Sequence, residues 1–401
     1  MNTDQATAGT YWSLVADGEP YRLLFPVGAA IGVFGVVLWP FYFWEVVSTY
    51  PGTVHARIMV EGFLTAFVLG FLGTALPRLL GMPGLNVGEA LALAGAVLWL
   101  TWLHATDQSF WGDQIFAFTL LSFAALLGVR AFLFRRDVPP PAFMLVALGM
   151  AGAVFGAGSQ AVLHAAPLAQ PPWMVSLGRL LLYQGYLVFP VMGVGAFLLP
   201  RFFGLSGRQD FPESLVPPAG WWARAGFALL CGGLVMLGFV VEATGDPHWG
   251  NGLRAFGISV FLLREVPAFQ KGAGGGSLAF GLRCALISIP LAYGLMAIWP
   301  ELTYSFLHVL YISGLSLLTF IVASRVILGH SGESGRLRGI MWPVRILTAL
   351  VILAMLTRVS ADWMPDSRVS HYAYAAIVWI AGVGVWAAYI LPKVRRGESR
   401  G

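Results

Sequence analysis

Histidines are the residues of this sequence whose positions most clearly suggest chemistry. Six of the seven fall at the same end of the predicted apolar helices, and only His330 falls at the opposite end. Imidazole binds metal ions and haem iron, and it carries protons near neutral pH. A polar cluster on one side of a membrane bundle indicates a functional site, so we expect a metal centre or a proton path there. The six are His55, His104, His164, His248, His308 and His371.

The first candidate site lies at the start of the second apolar segment. His55 and Met59 are four residues apart, so they share one helical face on which they could hold a metal ion. Arg57 and Glu61 have the same spacing on another face, and charged side chains in such a helix turn toward the bundle interior or a wet cavity. Two interpretations stay open. One is a structural ion pair; the other is an arginine that binds a haem propionate beside a glutamate that relays protons.

His308 lies in a second candidate site, where Tyr304 and Tyr311 flank it on one helical face. This arrangement is typical of a haem ligand with hydrogen-bonding neighbours, of a proton or radical pathway, or of a polar core without a ligand. His330 follows 22 residues later, roughly 33 Å along a helix, so the two histidines cannot ligate one metal. We expect His330 to complete the helix C-terminus, where a basic group complements the helix dipole.

Further candidates lie near the same outer end of the predicted helices. His371 opens the last apolar segment at about the depth of His55 and is a third candidate ligand. Arg179 either helps Arg57 to bind an anion or extends to the membrane interface. His104 and His164 are either interface histidines in an aromatic belt or metal ligands, and His248 is expected in a solvated loop.

The composition is that of a multi-pass membrane protein. The 401 residues are 58% hydrophobic and 11% charged, whereas soluble domains carry about 25% charged residues. The net charge is +5, but no basic run is long enough to follow a phosphate backbone, so we expect no nucleic-acid partner. Cys231 and Cys284 lie in apolar segments without a CxxC spacing and are expected to be small core residues.

The hydropathy pattern predicts an all-α integral membrane protein with about twelve transmembrane helices in one bundle and a single domain, 1–401. A bilayer requires about 20 apolar residues per helix, and helices satisfy their own backbone hydrogen bonds in lipid. The eighth segment is the weakest, because it is short and carries Arg254 and Arg264. The expected segments are 22–44, 55–80, 86–106, 113–135, 141–164, 173–200, 219–242, 251–268, 279–299, 302–328, 339–361 and 371–392.

Loop charges predict the orientation of this bundle. Arginines and lysines concentrate in the even-numbered loops and in the C-terminal segment, whereas acidic residues such as Asp113 are assigned to the odd-numbered loops. By the positive-inside rule both terminal tails, 1–20 and 393–401, face the cytoplasm and the six histidines face the periplasm. Residues 1–20 are polar, so we do not expect them to form a cleavable signal peptide, and no strong internal repeat is detected.

Three segments of the chain resemble one protein family. Residues 55–63 and 70–77 look like that family's WHAHEMLFGF and GFLLTAVP motifs, and residues 195–203 are similar to its GRIIPFFT stretch. Residues 307–332 resemble its LHALTIGAIG…MTRVSLGHTGR stretch, including the LGH[ST]G block. The family is NnrS, twelve-helix inner-membrane proteins that contain haem and copper and are associated with the bacterial nitric-oxide response.

The resemblance implies haem and copper as cofactors, nitric oxide as a small ligand, an unidentified electron donor and a location in the bacterial inner membrane. The haem is expected to be b-type, because no CxxCH motif is present. His55, His308 and His330 match histidines of the family motifs. Arg57, in contrast, stands where the family has a second histidine, and Ile58 replaces the acid that follows it.

Three functions remain open from the sequence. The first is a membrane haem protein, with or without copper, that binds or detoxifies nitric oxide, either as an oxidoreductase or as a scavenger or protector. The second is an enzyme like a haem–copper oxidase or nitric-oxide reductase, for which the chain has no HH pair. The third is a transporter or assembly factor for metal or haem, which should purify without stoichiometric haem.

Overall fold

The computed structural model describes residues 11–397 and is helical, without a β-strand in this range. Residues 1–10 and 398–401 of the expected cytoplasmic tails lie outside the described residues. A short helix, Tyr11–Ala16, precedes twelve long helices. These are α1 (Tyr21–Phe43), α2 (Gly52–Leu80), α3 (Val87–Ala105), α4 (Ser109–Phe134), α5 (Pro141–Ala165), α6 (Pro172–Phe203), α7 (Trp221–Ala243), α8 (Pro247–Glu265), α9 (Ser277–Ile298), α10 (Pro300–His330), α11 (Trp342–Trp363) and α12 (Pro365–Arg395).

Eleven of these helices in the described range are long and apolar enough to cross a membrane, which confirms an all-α membrane bundle. The exception is α8, the segment that the sequence marked as weakest. Its Arg254 is fully buried and hydrogen-bonds Glu242 of α7 and Asn251 of α8 itself. Because α8 packs between α7 and α9, protein covers Arg254, whereas Arg264 near the end of α8 is 46% exposed.

Nine helices form an outer ring around three inner ones. The ring runs α1, α3, α4, α5, α7, α8, α9, α11 and α12, each packed against the next, and α12 closes against α1. The inner helices are α2, α6 and α10, whose membrane-spanning windows are 78%, 78% and 67% buried. Every fourth helix is therefore internal, a regularity that the sequence analysis did not detect.

Each inner helix contains a π-helical segment near its predicted outer end: Ile58–Leu64 in α2, Leu181–Gly185 in α6 and Val309–Ser316 in α10. Such segments widen a turn and disturb the regular backbone hydrogen bonds, and they are frequent at functional sites. Side chains bond to these segments, since Tyr311 donates to the carbonyl of Tyr183 at 2.8 Å. Thr65 donates to the carbonyl of Val60 at 2.9 Å and lies 3.1 Å from the hydroxyl of Tyr186. The π segments therefore join the inner helices through polar contacts.

Candidate metal centre and cofactor cavity

His55 and Met59 project together from α2 toward Gly35 of α1. Nδ1 of His55 lies 2.9 Å from the Gly35 carbonyl oxygen. A Cβ atom placed on Gly35 would lie 3.0 Å from Sδ of Met59, so the thioether packs against the same glycine. The shared face predicted from their spacing thus meets α1 at a point where the absence of a side chain lets the helices approach.

His308 is the corresponding candidate ligand on α10. Its Nδ1 lies 2.6 Å from the Tyr304 carbonyl oxygen, and its ring is within electrostatic range of His55 and of Arg358. A carbonyl oxygen only accepts hydrogen bonds, so Nδ1 carries the proton in both histidines and Nε2 presents its lone pair. This is the arrangement in which protein groups orient a metal-binding imidazole. We call His55, Met59 and His308 the outer histidine site.

The other residues predicted for this site have different surroundings. His371 donates to the carbonyl of Ser367 in its own helix at 2.9 Å and makes no hydrogen bond or ring contact with His55 or His308 in the described structure. The side chains of Tyr304 and Arg179 are exposed, and Tyr311 is engaged with α6, as described above. His164 and His248 are exposed, and each bonds a backbone carbonyl.

Arg57 belongs to a buried ionic network between α2, α3 and α4. Its Nε and Nη2 donate to the two oxygens of Asp113 at 3.2 and 3.0 Å, and Nε lies 4.0 Å from Oε1 of Glu61. Oε2 of Glu61 lies 3.0 Å from Nε2 of His104. We call Arg57, Glu61, His104 and Asp113 the buried ionic network, and all four side chains are buried.

From the sequence, Asp113 was expected in a loop. His104 was expected to be either an interface histidine or a metal ligand. The structure instead places Asp113 inside α4 and buries both side chains completely. The sequence indicated their proximity only through the short loop between α3 and α4, because a short loop makes the two helices pack side by side. Donor atoms of Glu61, His104 and Asp113 lie within 4.8 Å of one another, a spacing at which they could hold a metal ion. The guanidinium of Arg57, however, already supplies a positive charge to both carboxylates.

A cavity of about 540 Å³ lies between the three inner helices, toward the predicted cytoplasmic end. Its walls are apolar side chains of α2, α6 and α10, and Arg78, Arg325 and His330 line its polar end. The guanidinium of Arg325 lies 4.6 Å from the ring of Phe202, and it has no acidic partner among residues 11–397. His330 bonds the Val326 carbonyl through Nδ1 at 2.8 Å, and its Nε2 contacts Arg78. The cavity thus combines apolar walls, one imidazole and two cations, of which Arg78 is paired with Glu19.

Comparison with known families agrees with the sequence motifs. The family model described as "NnrS protein" matches residues 18–397, nearly the whole chain. The chain belongs to the NnrS family. It is accordingly a multi-pass membrane protein of a family related to the nitric-oxide response, as the resemblance implied. No curated protein matches the sequence.

Family membership makes the environment of Arg57 informative. In the motif that this NnrS sequence resembles, a histidine stands where Arg57 stands here. The arginine side chain reaches Asp113 of α4 and lies near Glu61, one turn further along α2. His55 and Met59 retain their motif positions, so the outer histidine site keeps its donors, whereas the buried ionic network holds a fixed cation.

Proposed function

We propose that this NnrS protein is a haem-containing protein of the bacterial inner membrane that binds nitric oxide, with copper at the outer histidine site. The observation that carries the proposal is that His55 and His308, from helices far apart in sequence, lie within electrostatic range of one another, with Met59 next to His55 on one face of α2. Both imidazoles direct Nδ1 toward a backbone carbonyl and keep Nε2 available. Both side chains are partly exposed within the bundle, so an ion can reach them.

The donor set of the outer histidine site suits copper. Thioether sulfur favours Cu(I), and imidazole nitrogen binds copper in either oxidation state. Backbone carbonyls of Gly35 and Tyr304 hold the two rings in one orientation, which limits the reorganisation that metal binding requires. Bound copper would supply a one-electron redox centre, and the protein's own contribution is to fix the ring orientation.

The central cavity suits haem. Its volume of about 540 Å³ falls within the range of about 300–1,000 Å³ that is usual for cofactor pockets. The apolar walls would pack against a porphyrin, Arg325 would bind a propionate, and His330 would ligate the iron. Arg78 already pairs with Glu19, but its side chain is 43% exposed, so it can turn away from His330 and leave Nε2 of that ring to the iron. This assignment places haem at His330 rather than at His308, the histidine that the sequence favoured.

Haem iron with an accessible position binds nitric oxide. Nitric oxide is small, neutral and soluble in lipid, so the apolar residues that line the cavity admit it and exclude water. Arginines at the polar end would orient the cofactor. Lysines and arginines at the His330 end support a cytoplasmic location for that end and for both termini, and an unidentified electron donor would reduce the metals.

Metal analysis of three purified variants tests the assignment. We expect wild-type protein in detergent to contain haem and copper, His330→Ala to lose haem and His308→Ala to lose copper. His248→Ala is the matched control, because His248 is exposed and lies outside both sites, and it should retain both cofactors. A wild-type protein without stoichiometric haem would contradict the proposal and favour a transporter or assembly factor. Loss of haem in His308→Ala with normal haem in His330→Ala would refute the placement.

A further inference from the structure

Arg358 of α11 is a buried cation with unused hydrogen-bond donors. Its exposed fraction is 9%, and its Nε and Nη1 atoms have no hydrogen-bond partner in the described residues. Burying an ionised group without partners is costly, and the cost is larger than for a neutral polar group. Such a residue in the interior of a membrane bundle indicates a functional site.

Asp362, the acidic residue paired with Arg358, does not fully compensate the positive charge around it. Asp362 is 4.0 Å from Nη1, beyond hydrogen-bond distance, and it also lies 3.6 Å from Nε of Arg368. The same carboxylate accepts hydrogen bonds from Ser305 and Tyr372. Two arginines therefore share one aspartate, and the group carries one uncompensated positive charge.

The position of Arg358 relates this charge to the outer histidine site. Both His55 and His308 are within electrostatic range of its guanidinium. The guanidinium lies 3.9 Å from the ring of Tyr372, which packs against Trp39 at 4.9 Å. Trp39 also contacts the ring of His55 at 5.7 Å. Tyr50 is a further titratable group near Arg358. A chain of two aromatic rings, Tyr372 and Trp39, thus connects the guanidinium to the ring of His55.

Arg254 is a second buried arginine with unpaired donors in the described residues, and its contacts are those of a structural residue. Its Nε and Nη1 are also unpaired, but it forms direct hydrogen bonds to Glu242 and Asn251. Its guanidinium lies between the rings of Phe239 and Tyr293, at 4.6 and 5.0 Å. Arg358, in contrast, has no carboxylate at hydrogen-bond distance among residues 11–397, and its charge acts on the candidate ligands His55 and His308.

We propose that Arg358 is the anion-binding residue of the outer histidine site and takes a small oxyanion of the nitrite class. Nitrite can ligate a metal ion through one atom and accept a hydrogen bond from an arginine through another. Its single negative charge matches the single excess charge of the arginine–aspartate group, and the burial of Arg358 excludes bulky anions. The inference rests on the proposed function, because the metal ligands are those of the outer histidine site.

Nitrite titration of the purified full-length protein tests this inference. Affinity is measured by calorimetry on copper-loaded and on chelator-treated protein. We expect Arg358→Gln to weaken nitrite binding at least tenfold in copper-loaded protein and to abolish it in chelator-treated protein. Arg358→Lys should retain part of the affinity, since it keeps the charge. Arg368→Gln is the matched control, because it removes a more exposed cation from the same aspartate, and we expect a change of less than threefold.

Several outcomes would overturn the inference. These are a wild-type protein that binds no nitrite, an Arg358→Gln protein with unchanged affinity, and equal losses in Arg358→Gln and Arg368→Gln. Copper content is measured on the same samples. A protein without copper refutes the proposed function, whereas a copper-loaded protein with Arg358-independent nitrite binding refutes only the role of Arg358. If Arg358→Gln fails to fold, the comparison of Arg358→Lys with Arg368→Gln decides, because a role for Arg358 requires the greater loss in Arg358→Lys.

Discussion

Replacing Arg57 with glutamine tests whether the buried ionic network is held together by this single cation. Arg57 donates to both oxygens of Asp113 and lies 4.0 Å from Glu61, and both carboxylates are fully buried. Removing one partner of a buried ion pair leaves an uncompensated buried charge, which costs about 3–5 kcal/mol. We therefore expect Arg57→Gln to lower the free energy of unfolding by roughly that amount.

The assay is equilibrium unfolding in mixed detergent micelles, with far-UV circular dichroism as the signal. Arg201→Gln is the matched control, since Arg201 pairs with Asp210 at 2.8 Å while their side chains are 37% and 29% exposed. Exposed pairs contribute about 0–1 kcal/mol, so the control should change stability by less than about 1 kcal/mol. Adding Asp113→Asn to Arg57→Gln should restore part of the loss, because it removes one of the unpaired carboxylates.

Equal losses in the free energy of unfolding for Arg57→Gln and Arg201→Gln would refute the role of Arg57. It would also be refuted if Asp113→Asn worsened the stability of Arg57→Gln by its full single-variant cost, because the two residues would then act independently. Either result would mean that Arg57 does not compensate the charge of these carboxylates.

Three further predictions concern other parts of the bundle. Gly112→Ala would place a Cβ atom 2.4 Å from Cε1 of His104, so thermal unfolding should show a loss of about 1–3 kcal/mol from overpacking. Gly35→Ala would place a Cβ atom 3.0 Å from Sδ of Met59, and metal analysis should show reduced copper with normal haem. Partial burial opposes ionisation of Glu333, but neighbouring cations outweigh it and hold its pKa below the ordinary value. The stabilisation by Glu333 should be present at pH 7 and be lost as the pH falls from about 4.3 through the lowered pKa of the folded state. A pH series of melting temperatures for wild type and Glu333→Gln would show this loss.

The number and position of the long helices could be predicted from the sequence because lipid imposes length and hydropathy on each one. The expected segment 219–242 and the observed helix Trp221–Ala243 differ by only a few residues. The helix α8 departs from this rule because protein, not lipid, surrounds Arg254. Hydropathy reports the environment of a helix only when that environment is the bilayer.

The candidate site was predictable where it depends on one helix. The spacing of His55 and Met59 places them on one face, and the structure shows both at Gly35. The partners of Glu61 were not predictable in this way, because His104 and Asp113 come from two other helices. Their positions depend on how α3 and α4 pack against α2, which a single sequence does not report.

The π segments and the central cavity also depend on packing between helices. Leu181–Gly185 has no residue pattern that distinguishes it from α-helix, and its Tyr183 carbonyl is satisfied by Tyr311 of another helix. His330 illustrates the consequence. Its position in sequence indicated a helix C-terminus, which the structure confirms, but only the arrangement of three helices shows that it lines a cavity.

The most direct test of the central claim is the reduced-minus-oxidised optical spectrum of the detergent-purified protein, recorded before and after addition of nitric oxide. The account predicts b-type haem bands that shift when nitric oxide is added, with the bands absent in His330→Ala. A wild-type spectrum without haem bands, or with bands that nitric oxide leaves unchanged, would contradict it.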